Sequence, residues 1–279
     1  MTQVSDMTSP MDTNASAWIE RLARAGYLAK GVVYGAVGVL AVMAAVGSGA
    51  TGEKTGSSGA IHAIAEQPFG RVLLAFVALG LVGYVVWRLV EAIQDPDGRG
   101  TDAKGIAVRI GFAISALTYA ALALLAGRIA LGMGSGGGSD SKEELTARVM
   151  AQPFGQWAVA LAGVVVVGIG LRHFQRAWTA SFMKKYKTHE MSEKEIQAAR
   201  HIGRFGISAR GVTFCMIGAF IVQAAMRSNP DGATKGLGEA LSKLSQQTYG
   251  PYLLGLVAAG FIAYGVYCVS RAKYRAFKT

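Results

Sequence analysis

Apolar positions along the chain gather into six long runs, at 22–46, 70–93, 106–131, 155–178, 207–226 and 252–269, with short polar or glycine-rich stretches between them. A run of about 20 residues is the length that crosses a bilayer core at about 1.5 Å per residue. The pattern therefore predicts six transmembrane helices. Before the first run, Trp18, Ile19 and Leu22 recur at helical spacing beside Glu20 and Arg21, which predicts a short interfacial helix feeding the first span. Residues 1–14 are polar and are expected to be disordered. Asp95-Pro96-Asp97-Gly98 and Asn229-Pro230-Asp231-Gly232 read as turns. Ser192-Glu193-Lys194-Glu195 is a capping box, so a helix is expected to start there and run into the fifth span.

The runs are not independent of one another. Gln67-Pro68-Phe69-Gly70 leads into the second run, Gln152-Pro153-Phe154-Gly155 into the fourth, and Gln247-Thr248-Tyr249-Gly250 into the sixth. Each corner follows a short amphipathic segment: 60–65, 143–151 with Leu145 and Val149, and a third marked by Leu237, Leu241 and Leu244. At the other end of the unit, Arg24-Ala25-Gly26-Tyr27 matches Arg109-Ile110-Gly111-Phe112 and Arg204-Phe205-Gly206-Ile207 at the same offsets. The unit is thus two spans joined by a loop and an amphipathic segment, and it occurs three times. This divides the chain into 1–20 (tail and interfacial helix), repeat 1 at 21–96, repeat 2 at 105–180, a basic loop at 181–203, and repeat 3 with a basic tail at 204–279. An even number of spans per unit gives parallel repeats, and an all-α six-helix bundle with pseudo-threefold symmetry is their natural packing. The third corner, with Thr248-Tyr249 in place of Pro-Phe, is expected to be built differently.

Composition agrees with a membrane chain. Only 16% of residues are charged, against about 25% in soluble domains, and mean hydropathy is +0.34. The net charge of +11 would suggest nucleic acid in a soluble protein. Here it is read as basic loops facing anionic lipid headgroups, so no nucleic-acid partner is expected. Placing the termini and even-numbered loops in the cytoplasm puts roughly 20 of the 28 basic residues there. The expected location is the bacterial inner membrane with both termini inside. No cleavable signal is expected, because residues 1–14 carry Asp6 and Asp12 and no basic leader.

The tripled Arg-x-Gly-aromatic and Gln-Pro-Phe-Gly unit over six spans resembles a bacterial membrane family known as domain of unknown function 1206, from about Arg21 to Arg275. The resemblance implies an integral membrane protein and carries no activity with it.

Candidate chemistry is sparse. Arg24, Arg109 and Arg204 begin the odd spans at equivalent positions, and Glu91, Arg176 and Arg271 end the even spans at equivalent positions. Lys30 and Arg210 lie six residues further in, about 9 Å deeper, and Ser115 takes that place in repeat 2. As contacts, these basic residues would form a vestibule for an anion or a lipid headgroup, with Glu91 paired to a neighbouring Arg. The plain alternative is snorkelling side chains under the positive-inside bias. Tyr34, Ser115, Thr118, Tyr119, Thr213 and Tyr264 are polar at mid-depth, with no Asp or Glu among the central residues of any run, which argues against an ion-coupled transporter. Those six can equally serve helix-to-helix hydrogen bonds. Gly31, Gly35, Gly80, Gly83, Gly255, Gly260 and Gly265 read as helix-packing positions. The four histidines show no metal spacing, and Cys215 and Cys268 fall at different depths, so neither a metal, a cofactor nor a disulfide is expected. Two functions remain. One is a non-enzymatic scaffold or accessory subunit that binds a membrane protein or itself. The other is an uncoupled channel or carrier for a small solute or anion along the bundle axis.

Overall fold

The computed structural model describes residues 10–46, 56–98, 100–133, 150, 152, 154–227, 237–246 and 248–276. Six helices are long and apolar enough to cross a membrane: α1 (Pro10–Ala45), α3 (Gly70–Ile93), α4 (Ala103–Ala130), α5 (Gly155–Trp178), α6 (Glu193–Met226) and α8 (Gly250–Tyr274). Two shorter ones, α2 (Ser57–Ala65) and α7 (Leu237–Ser245), precede α3 and α8. No strand occurs among the described residues beyond one isolated bridge between Tyr186 and Arg275. The chain has the build of a multi-pass membrane protein.

Several boundaries depart from the hydropathy pattern for local reasons. Helix α1 continues back to Pro10, so 10–14 is helical and the interfacial segment is the first part of one long helix; proline is tolerated in a helix's first turn, where its missing N–H leaves no bond unmade. Helix α6 starts where the capping box places it, with Ser192 accepting from Glu195 N and the Glu195 carboxylate accepting from Ser192 N at 2.9 Å. Helix α2 is amphipathic, with one face buried and the other partly exposed. Its Ile61 is fully buried and packs with Ile64, Leu74 and Ala126. In α7, Leu241 is likewise buried, while the second amphipathic segment, 143–151, lies outside the described residues except for the buried Met150.

The corners confirm the expected difference. Phe69 and Phe154 cap α3 and α5 in the left-handed region, at φ 61° and 64°, whereas Tyr249 before α8 stands at φ −110°. Gly70 and Gly155 close the first two corners by donating to Gln67 O and Gln152 O, at 2.8 and 2.9 Å. A methyl on Gly70 would stand 2.2 Å from Ile64 O, which requires glycine there. Pro153 and Gln247 lie outside the described residues. Phe69, Phe154 and Tyr249 are all strongly exposed, as suits an aromatic belt at a membrane interface.

The repeats are joined in a ring by equivalent contacts between neighbours: α3 with α4, α5 with α6, and α8 with α1. Within repeat 1, α1 and α3 also pack closely, and within repeat 3 so do α6 and α8. Small residues allow this. A methyl on Gly26 would stand 2.5 Å from Tyr84 N and one on Gly206 2.5 Å from Tyr264 N, while Gly80 abuts Ala29 and Gly260 abuts Ala209.

Repeat 2 breaks the pattern. Its two helices, α4 and α5, do not pack along their length. Gly111, the counterpart of Gly26 and Gly206, has open space beside it, and so does Gly168 on the facing helix. The cause is legible in the sequence. Where the other repeats pair Ala29 with Gly80 and Ala209 with Gly260, repeat 2 has Ile114 and Val165. Both are exposed, and two β-branched side chains prevent the approach that Ala and Gly permit. Gly31 and Gly265 keep their expected close contact, whereas Gly255 has open space beside it and is not a packing position.

Candidate functional site

Three layers of basic side chains sit at the end of the bundle where the odd spans begin. The outermost is structural. Arg24 donates to Lys273 O at 2.7 Å and also to Ala272 O. Arg109 donates to Ala92 O and Ile93 O at 2.7 and 2.8 Å, and Arg204 to Ala177 O and Trp178 O at 3.1 and 2.8 Å. Each arginine thus caps the last carbonyls of the preceding repeat's even helix, with Arg24 capping repeat 3. Those carbonyls have no partner within their own helix, and the negative end of the helix dipole favours a cation there. This use of Arg24, Arg109 and Arg204 leaves them on helix ends.

The deepest layer lies among tyrosines of α1, α3, α4 and α8. Lys30 is buried and donates to the Tyr84 hydroxyl at 2.9 Å. Its ammonium lies 4.6 Å from the ring centres of both Tyr84 and Tyr119, and 5.9 and 5.7 Å from those of Tyr34 and Tyr264. Arg210 donates to the Tyr264 hydroxyl at 2.5 Å and lies over Tyr34 and Phe214. The Tyr119 hydroxyl donates to that of Tyr34 at 3.3 Å. Ring faces and hydroxyls thus stand in for the carboxylate that a buried cation otherwise needs, each cation–π contact being worth about 0.5–2 kcal/mol. Of the mid-depth polar residues, the three tyrosines link helices, while Thr118 and Thr213 bond back to their own helix.

At the same end of the bundle lies an open cavity of about 640 Å³, lined by the ends of α3, α4, α5 and α8 and the turn at Ser181–Lys185. Seven basic side chains and one carboxylate, Glu91, line it. Of the expected residues, Arg176, Arg271 and Glu91 are brought together here. Glu91 is already committed, at 2.7 Å, to both Arg88 and Arg275. Arg271 lies 4.4 Å from the Tyr27 ring centre, and Arg176 donates to the Tyr267 hydroxyl at 3.4 Å. Among the described residues, Arg172, Arg176, Lys104, Lys184 and Arg271 make no salt bridge. Outside the spans, Lys185 pairs with Asp97. Burial pushes the Lys185 ammonium down to about 8, Arg275 pushes it the same way, and Asp97 opposes both.

The described part of the basic tail, up to residue 276, is held against the bundle. Arg275 is buried beneath Trp87 and Tyr27, and the chain folds back so that Lys187 N donates to Tyr274 O at 2.8 Å and Ala276 N to Lys185 O at 2.9 Å. Sequence reasoning missed Arg88, Arg172 and Arg275. Arg88 could have been found three residues before Glu91 on the same helix face. Arg172 could have been found by alignment, because it replaces the buried aromatics Trp87 and Tyr267 of the other repeats. No local signal marks Arg275.

The three units match the family model described as Domain of Unknown Function (DUF1206), at residues 25–95, 110–180 and 205–275. The chain belongs to the DUF1206 family. A relative, the "Uncharacterized protein YxxB" of Bacillus subtilis (strain 168), is 38% identical over 275 residues, covering 99% of this chain and 95% of the relative. No solved structure gives a significant match. The DUF1206 match at three tandem positions corresponds to the three arginine caps, since Arg24, Arg109 and Arg204 each stand immediately before a matched segment.

Proposed function

We propose that this chain is a non-enzymatic scaffold or accessory subunit of the bacterial cytoplasmic membrane, with both termini in the cytoplasm, that holds another membrane component. The observation that carries the reading is the cation–tyrosine core. Lys30 and Arg210, the deepest cations, each donate to one tyrosine hydroxyl and lie against the rings of Tyr34, Tyr84, Tyr119 and Tyr264. A cation held in this way ties together the helices that carry those tyrosines, which is a structural use of its charge. The alternative of a channel or carrier along that axis gains no supporting observation. The unused surface is lateral instead, at the unsealed seam of repeat 2.

The reading is tested by extracting the full chain with its surrounding lipid into polymer-bounded discs and weighing the particles. A discrete assembly heavier than one 29.2 kDa chain, with a reproducible second protein or second copy, is the expected result. A lone chain in every polymer tried, or solute flux through reconstituted protein, contradicts it.

A further inference from the structure

We infer that the seam between α4 and α5 is a lateral portal through which the cationic cavity receives a phosphate-bearing anion, carried as the headgroup of an anionic phospholipid whose acyl chains lie against the seam.

Four independent observations converge on this. First, the cavity has the charge of an anion site. Its basic residues outnumber its one carboxylate seven to one, and that carboxylate is held by Arg88 and Arg275. Arg172 and Lys104 are exposed and make no salt bridge among the described residues. Arginine and lysine side chains converging on one space match phosphate oxygens. Second, about 640 Å³ falls within the ~300–1,000 Å³ of ordinary ligand pockets. Third, the cavity lies at the end of the seam. Lys104 and Phe112 reach it from α4, and Arg172 and Arg176 reach it from α5. Fourth, further along, the seam is apolar and unsealed. Ile110 and Ile114 on α4 and Val165 and Ile169 on α5 are exposed, and Gly111 and Gly168 have open space beside them. A charged pocket joined to an apolar slot at membrane depth has the two-part chemistry of a phospholipid. A soluble anion would use only the pocket, and a protein helix would use only the slot.

The substitutions specific to repeat 2 support this further. At the seam position where repeats 1 and 3 bury Trp87 and Tyr267, repeat 2 presents Arg172. Where they bind Tyr84 to Lys30 and Tyr264 to Arg210, it has Ile169 and Ser115. Each exchange removes an inter-helix tie, and one of them adds a cation at the cavity. This inference does not rest on the scaffold reading, and the two compete only where a protein partner would occupy the seam itself.

The test is native mass spectrometry of the full chain, with added phosphatidylglycerol, phosphatidylcholine or inorganic phosphate as probes. Phosphatidylglycerol is expected to bind at least about tenfold more tightly than phosphatidylcholine, and Arg172→Ala with Lys104→Ala is expected to remove that preference. Both residues are exposed, so folding is not at stake. Lys194→Ala with Arg200→Ala, an equal loss of charge outside the cavity, is expected to leave binding unchanged. Gly168→Leu fills the slot without touching the cavity and is expected to weaken lipid binding. Equal binding of both lipids, or full binding by the Arg172/Lys104 variant, overturns the inference. Retention of inorganic phosphate without lipid assigns the anion to solution and overturns the lipid source. A co-purifying protein that crosslinks to the slot in place of any lipid overturns it as well.

Discussion

Lys30 and Tyr84 make a contact that the chain builds twice. The ammonium of one donates to the hydroxyl of the other at 2.9 Å, and two repeats further on Arg210 donates to Tyr264 at 2.5 Å from equivalent positions. Both ties join the odd helix of a repeat to its own even helix. Repeat 2 holds Ser115 and Ile169 at those positions and lacks the tie. The polar core and the open seam are therefore two consequences of one set of residue choices.

The Tyr84 hydroxyl serves two cations, since Arg88 Nε also donates to it at 2.8 Å. Tyr84→Phe leaves Lys30 without a hydrogen-bond acceptor while Arg88 keeps Glu91, and leaving a buried donor unsatisfied costs roughly 1–3 kcal/mol. Lys30→Met removes the cation together with its need for a partner, a change that is often neutral in buried sites. Tyr84→Phe is expected to lower the unfolding midpoint in detergent clearly more than Lys30→Met does. The reverse order would mean that the lysine, and not its partner, stabilises the bundle.

The arginine caps predict a local effect. Arg109→Ala leaves the carbonyls of Ala92 and Ile93 without their donor and is expected to cost about 1 kcal/mol. Hydrogen exchange at the amides of the last turn of α3 should accelerate, with the distant ends of α5 and α8 unaffected. Uniform acceleration across all three helix ends would show that the caps act as one unit.

Stability should rise with pH between about 8 and 10. The Lys185 ammonium is lowered from 10.5 to about 8 by burial first and Arg275 second, against Asp97 and Glu91. The unfolded chain therefore binds more protons between about 8 and 10.5, and stability grows as pH climbs through that window. Tyr186, pushed upward by burial, has the opposite effect only above pH 10. Lys185→Met should flatten the rise in unfolding midpoint. An unchanged slope would place the titrating group elsewhere.

Orientation predicts that a reporter fused at Gly136 reads as external and one fused at Thr188 as cytoplasmic. The opposite pattern would invert the bundle in the membrane and move the cavity to the outer leaflet.

Much of this was legible in the sequence. The six spans, the tripled unit, the capping box at Ser192 and the altered third corner all follow from short-range patterns, because period, caps and turn chemistry act over a few residues. The burial of α2 was not legible, since Ile61 and Ile64 look the same facing lipid or facing Leu74. The ion pair between Glu91 and Arg275 was also hidden. It joins positions 184 residues apart, and nothing in a basic C-terminal stretch distinguishes the arginine that reaches Glu91 from its neighbours. The opening of repeat 2 lay between these cases. Ile114 and Val165 differ visibly from Ala29 and Gly80, but the difference gains meaning only once those positions are known to touch.

The central claim is that the ring is unsealed at repeat 2 because Ile114 and Val165 hold α4 and α5 apart. The most direct measurement is a set of spin-label distances in lipid discs, on a background lacking Cys215 and Cys268. Labels at Leu28 and Leu79, at Ala113 and Val164, and at Ser208 and Ala259 report the three equivalent helix pairs. The account predicts similar distances in repeats 1 and 3 and a longer one in repeat 2, which shortens toward the others when Ile114→Ala and Val165→Gly are introduced together. Three equal distances in the unaltered chain would contradict it.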